Sequence, residues 1–494
     1  MKLLNLVPSA LIALAACGGT ALAPLPPPPA PAPAPPAPAP KVDTEAFRER
    51  APVAEAEIPF VPPKIEEARL KNGARLLLVE RHELPIVALE IVIDRGADQA
   101  PPGVGGFMGA MLLQGTKTRS ALALSDELDG LGANYWAWVD FDSITVRAQC
   151  LSSKLGALLP ILADVVKNPA FAPAEIERER AKRLTTIAQQ KDAPTVLMSN
   201  AVAKTLYPAS HSYAFPLIGD AAAVKKLQRA ELVQLHAALV KGGALTVSMA
   251  GDIAKEQAVA ELERVFGDSK STASSARGVP IAPRPSAAEA ARAVIIDRPG
   301  AAQSNVSVAL VGVPRSTPDY DTLTVMNTLF GGKFSSRLNL NLREKHAYTY
   351  GAGSGFSMRR GPGPFTAGGA IVSKATEPAI KEIMNELDRL RSEPVSEREL
   401  ADAQAYLIRQ LPARFETALD TATSLSQLAV YGLPLDEYAT RPARFAKVTR
   451  EAIQAAAQKY LVKEQLRLVV VGDASTIKDG LAQLGFGEPQ VQKP

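Results

Sequence analysis

Leu245-Thr246-Val247-Ser248-Met249-Ala250 runs into Gly251-Asp252, and Leu466-Arg467-Leu468-Val469-Val470-Val471 runs into Gly472-Asp473. Each stretch is short, largely aliphatic and closed by a turn pair, which reads as a β-strand. Each also follows a helical run, Glu231–Val240 in one case and Glu451–Tyr460 in the other. The two Gly-Asp pairs stand about 220 residues apart, too long a period for a solenoid of small repeats, and so predict a duplicated domain.

Working outward from these endings, the first copy opens with strands at Arg75–Val79 and Ile86–Val92. A helix-like stretch at Leu122–Leu131, a strand-like one at Ser143–Gln149 and helices at Leu155–Lys167 and Ala174–Gln190 follow, the last with Pro173 at its start. Ser269–Ala276, then Pro280, Pro283 and Pro285, reads as a linker. The expected fold class is α+β. It comprises two tandem duplicated domains, 61–268 and 287–487, joined by linker 269–286 and followed by a tail at 488–494. Each is a mainly antiparallel sheet with helices packed on one face.

The ends differ in kind. Lys2 precedes an apolar run to Ala16, too short to span a bilayer but suited to an export signal. Leu14-Ala15-Ala16-Cys17-Gly18 resembles the bacterial lipoprotein box, which marks 1–17 as a lipoprotein signal segment and implies cleavage just before Cys17, with lipid on Cys17 as the first residue that remains. Residues 24–40 are Pro and Ala apart from Leu25, favouring polyproline II. Within a tether at 18–60, that stretch would reach about 50 Å. The expected location is the bacterial cell envelope, lipid-anchored, on the outer membrane facing the periplasm.

The 494 residues carry 47% hydrophobic and 21% charged side chains, ordinary for a globular chain. A formal charge of +4 from 55 basic and 51 acidic residues gives no field for nucleic acid. Two cysteines, Cys17 and Cys150, build neither a disulfide framework nor a Cys-rich zinc module. His82, His211, His236 and His346 include no local metal pair, and a lone histidine is more often structural or exposed.

Gly103-Val104-Gly105-Gly106-Phe107-Met108-Gly109-Ala110-Met111-Leu112-Leu113-Gln114-Gly115-Thr116-Lys117-Thr118 resembles the zinc-site segment of the pitrilysin/insulinase metallopeptidases. Leu131–Asn134, Ala163–Phe171, Asp297–Ser304, Gly331–Leu338 and Leu342–Tyr350 extend the likeness, in order and spacing, over about 64–480. Active members of that family carry His-x-x-Glu-His on a helix. Two histidines one turn apart grip zinc, and the glutamate beside the metal-bound water takes its proton. Position by position, the resemblance places Gly106 at the first histidine, Gly109 at the general base, Ala110 at the second histidine and Thr186 at the distal glutamate. Glu179 matches a supporting acidic position and reads equally as a salt-bridged helix residue beside Arg178 and Arg180. No catalytic residue, metal ligand or cofactor is therefore assigned to this chain.

The resemblance also implies an arginine and a tyrosine, seven residues apart in the second half, that hold substrate backbone near zinc. Arg343 and Tyr350 match them, and read equally as a helix-end arginine and a tyrosine on a half-buried strand. Guanidinium and phenol can both donate to a peptide carbonyl. Gly331-Gly332-Lys333 fails as a phosphate loop because Phe334 follows, and reads as a tight turn. Trp136 and Trp138 share one side of a strand, with core packing the default and a peptide-gripping wall the sharper reading.

Together these features imply a non-catalytic subunit, similar to bacterial relatives of mitochondrial processing peptidase. It would clamp peptide beside a zinc-bearing paralogous partner. The alternative is a peptide-binding or scaffolding lipoprotein of the same fold with no protease partner.

Overall fold

Two six-stranded sheets share one strand plan. The first comprises β1 (Glu66–Arg69), β2 (Arg75–Glu80), β3 (Ile86–Ile93), β4 (Asn134–Val139), β5 (Ile144–Leu151) and β6 (Leu245–Gly251), in the order β1-β2-β6-β3-β5-β4. The second comprises β7 (Ala293–Asp297), β8 (Gln303–Val311), β9 (Thr349–Phe356), β10 (Pro364–Val372), β11 (Arg467–Gly472) and β12 (Gln490–Gln492), in the order β12-β7-β11-β8-β10-β9. In each, the last strand of the duplicated ending inserts parallel to the first long strand: β6 beside β2, β11 beside β7. The remaining pairs are antiparallel except β12 with β7. This computed structural model describes Arg48, Pro59–Gly267 and Ala291–Pro494. Cys17, segment 1–17, the tether up to Ile58 apart from Arg48, and linker 269–286 lie outside the described residues.

Two boundaries move. Residues 488–494, expected as a tail, contain β12, which supplies the second sheet with the edge that β1 supplies to the first. Phe60, placed at the end of the tether, packs with Phe415 at 5.9 Å between ring centroids and so belongs to the folded body. Gly251 of the repeated ending has φ 134°, and a Cβ there would meet the Ile86 carbonyl at 2.0 Å. Glycine is what lets β6 close against β3.

The strands are apolar on both sides, and the reason is an exchange of helices between the halves. In β2, Leu76 and Leu78 enter the core of their own half, while Leu77 and Val79 point the other way. There they meet Leu425 and Leu428 of a helix from the second half, α4 below. Val469 and Val471 of β11 and Val294 and Ile296 of β7 meet Ala201, Val202 and Leu206 of a first-half helix, α3 below. With α1 at Val104–Met111, α2 at Pro173–Gln190, α3 at Pro194–Leu206 and α4 at Ala418–Tyr431, each half keeps its own helices on one face and lends one to the other. Continuous aliphatic runs are expected of strands covered on both faces.

Polar contacts lock the exchange. Glu90, buried in β3, accepts from Arg147 Nε at 2.7 Å and from Thr423 of α4 at 2.9 Å. Tyr207 donates to the Pro362 carbonyl at 2.8 Å, and the Gly361 amide donates to the Tyr213 hydroxyl at 3.2 Å.

Leu425→Ala tests this exchange, because Leu425 belongs to the second half but supports the first sheet. The loss should be about 2–5 kcal/mol, as for other fully buried leucines. Trp136 and Trp138 both lie in the first half, so tryptophan fluorescence and far-UV circular dichroism should shift to lower denaturant together. A fluorescence midpoint left at the parental value would mean that the halves unfold independently.

Candidate functional site

The positions that the resemblance matched to a zinc site do converge. Gly106 and Ala110 of α1 and Glu179, Arg183 and Thr186 of α2 line one cavity of about 400 Å³ beside Trp138 of β4. α1 holds because Phe107, Met108 and Met111 are buried in the core, which outweighs the poor helix propensity of its glycines. Ser120, Ser396, Thr417 and Thr449 cap other helices through their side chains, but Gly103, before α1, offers no such cap. The helix start is anchored instead by the close approach of Gly103 to Gly219.

The donor set does not suit a metal. Glycine, glycine, alanine and threonine stand where two imidazoles and two carboxylates would be needed. Two of these positions also leave no room for a side chain. A Cβ at Gly106 would lie 2.0 Å from the Leu217 carbonyl oxygen, and one at Gly109 would lie 2.6 Å from the Val139 nitrogen. The glycines are thus sites of close packing, and α1 is not loosened. Thr186 returns its hydroxyl to the Lys182 carbonyl at 3.1 Å.

A guanidinium occupies the middle of this arrangement. Arg183 donates to Glu179 at 2.8 Å, to the Gly106 carbonyl at 2.6 Å and to the Ile218 carbonyl at 3.3 Å, and lies 5.0 Å from the Phe107 ring. Glu179 is only 8% exposed. Its neighbours Arg178 and Arg180 turn to Glu175 and Glu177 instead. Glu179, read as a solvated or salt-bridged helix residue, is salt-bridged, and its partner is Arg183, because residues four apart on a helix share a face. Desolvation draws the Arg183 pKa downward against the opposing pull of Glu179. Arg183 was missed by sequence reading, although its spacing from Glu179 was the available signal.

The histidines stay apart. His82 bonds Asp252 at 2.8 Å, His211 accepts from the Tyr213 amide at 3.0 Å, and buried His236 bonds the Val166 carbonyl at 2.8 Å. His346 stacks on Tyr348. Among the described residues no group of three or more His, Cys, Asp or Glu side chains could hold a metal ion.

Arg343 and Tyr350 do not line the cavity around Arg183. Arg343 lies in a π-helical segment, Leu340–Lys345, where it pairs with Glu344 at 3.3 Å and stacks on Phe334 at 4.6 Å. Such segments are frequent at functional sites. Tyr350 opens edge strand β9 and is 89% exposed, not half-buried as the strand pattern suggested. Gly331 and Gly332, read as a tight turn, end another π-helical segment, Thr328–Gly332. Trp136 is 49% exposed and Trp138 is half-buried under Arg147, 5.0 Å from its ring, so neither joins the core. β4 is an edge strand, with a neighbour on one side only.

Removing the guanidinium would strand the Glu179 charge. Arg183→Ala should cost about 3–5 kcal/mol, the range for breaking a buried pair. Arg183→Met with Glu179→Gln should recover most of it. If thermal melts of Arg183→Ala match the parent, the pair is not what holds α1 and α2 together here.

Sequence comparisons agree with the geometry. The family description "Insulinase (Peptidase family M16)" matches residues 75–217, and "Peptidase M16 inactive domain" matches 226–407. An "uncharacterized zinc protease" of Rickettsia bellii is 26% identical over 373 residues, 74% of this chain and 87% of the relative. The bovine mitochondrial-processing peptidase subunit beta is 27% identical over 300 residues, 60% of each chain. A crystal structure described as a peptidase M16 inactive domain from Pseudomonas fluorescens superposes with a TM-score of 0.75 at 26% identity, over 83% of this chain and 98% of the other. A Helicobacter pylori protease shares the fold at 18% identity, with a TM-score of 0.73 and coverage of 83% and 100%. Two consecutive M16 matches that together reach into both halves of a duplicated fold, whose zinc-segment positions meet in a single cavity, place this chain in the insulinase family of peptidases, family M16.

Proposed function

We propose that this chain is the non-catalytic, substrate-clamping subunit of a heterodimeric zinc endopeptidase of the bacterial cell envelope. One observation carries the reading: the positions of the zinc ligands hold neither imidazole nor carboxylate and the Arg183 guanidinium stands among them, while Arg343 and Tyr350 remain at the surface. A chain of this kind has groups that can bind peptide but none that can activate water. Zinc and the general base would come from a paralogous partner. The "inactive domain" description and the likeness to a protein named as a subunit support the same division of labour.

In this reading the chemistry left to the chain is positioning. Arg343, pre-oriented by the Phe334 ring, offers guanidinium donors to a substrate carbonyl. Tyr350, on the open side of an edge strand, offers its phenol. Arg343→Ala and Tyr350→Phe should leave the heterodimer assembled and its melt unchanged. Loss of a donor to the developing oxyanion would slow peptide hydrolysis by about 10²–10³. A rise in KM alone would instead make the residue a ground-state positioner. Parental rates in both assembled variants would end the clamp assignment and favour a scaffold.

The cellular location rests on Cys17. Lipid there would hold the body in the periplasm at the end of the Pro/Ala tether. Cys17→Ser should move the protein from the membrane fraction to the soluble one and abolish labelling by a fatty-acid analogue. A wild-type protein that takes up no label, with a mutant still membrane-bound in high salt, would contradict the anchor.

A further inference from the structure

Where α4 lies on the first sheet, Trp138 and Arg147 stand beside the joint. Where α3 lies on the second sheet, the matching strands are flat. Gly353 and Gly355 of β9 and Gly368 and Gly369 of β10 present almost no side chain, and the result is a cavity of about 740 Å³. That volume is typical of a ligand pocket. Its walls combine aliphatic groups from α3 with the polar side chains of Thr195, Ser199, Asn305, Ser307 and Thr366.

One lining residue carries a formal charge, and it is Arg359. No carboxylate lines the cavity with it. Its guanidinium is held between two rings, 4.2 Å from Phe141 and 4.7 Å from Tyr213, and makes no hydrogen bond or ion pair among the described residues. The nearby Asp142 is engaged elsewhere, accepting from the Arg360 amide at 3.1 Å and from Tyr431 at 3.4 Å. The phenols of Tyr207 and Tyr213 are pushed well above their ordinary range by burial and so stay neutral. Stacking fixes the plane of an arginine while leaving its donors unused, the state from which a carboxylate is bound in bidentate fashion.

We propose that this cavity binds the C-terminal end of a short peptide, with its terminal carboxylate on Arg359 and its backbone against the glycine floor. The inference rests on the reading that this chain handles peptides, and it adds a second station, separate from Arg343 and Tyr350. A peptide fits better than a fatty acid because hydroxyls and an amide recur along the walls, where an acyl chain would leave them unpaired.

The test is calorimetric titration of the purified chain, without any partner subunit, with N-acetyl-Ala-Val-Ser-Ala as free acid and as C-terminal amide. The acid should bind on the order of tenfold or more tighter, as a charge-assisted bond requires. Arg359→Gln should erase the difference. Gly355→Leu fills the cavity from a position where an added Cβ meets no atom within 4 Å. It should therefore keep the parental melt and abolish binding of both peptides. If Arg359→Gln fails to fold, Gly355→Leu decides. Equal binding of acid and amide, no binding to the parent, unaltered binding in Gly355→Leu, or displacement of the peptide by dodecanoate would each overturn the proposal. Because no partner is present, such a failure leaves the clamp reading, which is measured as a rate in the heterodimer, standing on its own test.

Discussion

Leu425 and Leu428 on one side of the molecule, and Ala201, Val202 and Leu206 on the other, bury sheet faces that belong to the opposite half. The rest of the structure depends on this exchange. A sheet with one face bare would expose Leu77, Val79, Val469 and Val471 to water, at a cost of about 1.5–3 kcal/mol for each such side chain. With the helices crossed over, the halves cannot be separated without opening both aliphatic layers. The position of α3 against β8 to β10 also defines the cavity that holds Arg359. Glu90, Arg147 and Thr423 add direction to the contact, because a buried carboxylate tolerates little displacement from its donors.

The cavity on the first sheet is shaped by similarly close packing. Family members that cleave peptides need room for a metal and its ligands between the segments equivalent to α1 and α2. Here the Leu217 carbonyl approaches the backbone of Gly106, and Arg183 supplies a positive charge that needs no imidazole to hold it. Its bond to Glu179 neutralises the one carboxylate left in the cavity. Restoring a histidine at position 106 would require the Leu217 segment to retreat, so lost ligands and lost space reinforce each other.

The duplication was legible because the repeated helix, strand and Gly-Asp ending is a local pattern, and each of its steps has a local cause. Gly251 must avoid the Ile86 carbonyl, and Asp473 caps the helix that follows it by accepting from the Ser475 amide. The positions Gly106, Gly109, Ala110 and Thr186 were legible through the resemblance of their segments to the family's zinc site, which is likewise carried by local residue order. What sequence could not disclose was distant. Leu77 reads as a strand residue, but nothing near it announces a helix more than three hundred residues later. β12 was taken for a tail because three residues carry no periodicity. Tyr350 is exposed because β9 ends its sheet, which strand alternation does not reveal. Arg359 draws its partners from Phe141 and Tyr213, both in the other half.

Our proposal is that this chain contributes to proteolysis without holding the metal. It is tested most directly by elemental analysis of the purified chain alongside its hydrolysis of an unstructured peptide, with and without chelator. The account predicts no stoichiometric zinc and no chelator-sensitive cleavage by the chain alone. One tightly bound zinc per chain, together with cleavage that a chelator abolishes, would contradict it.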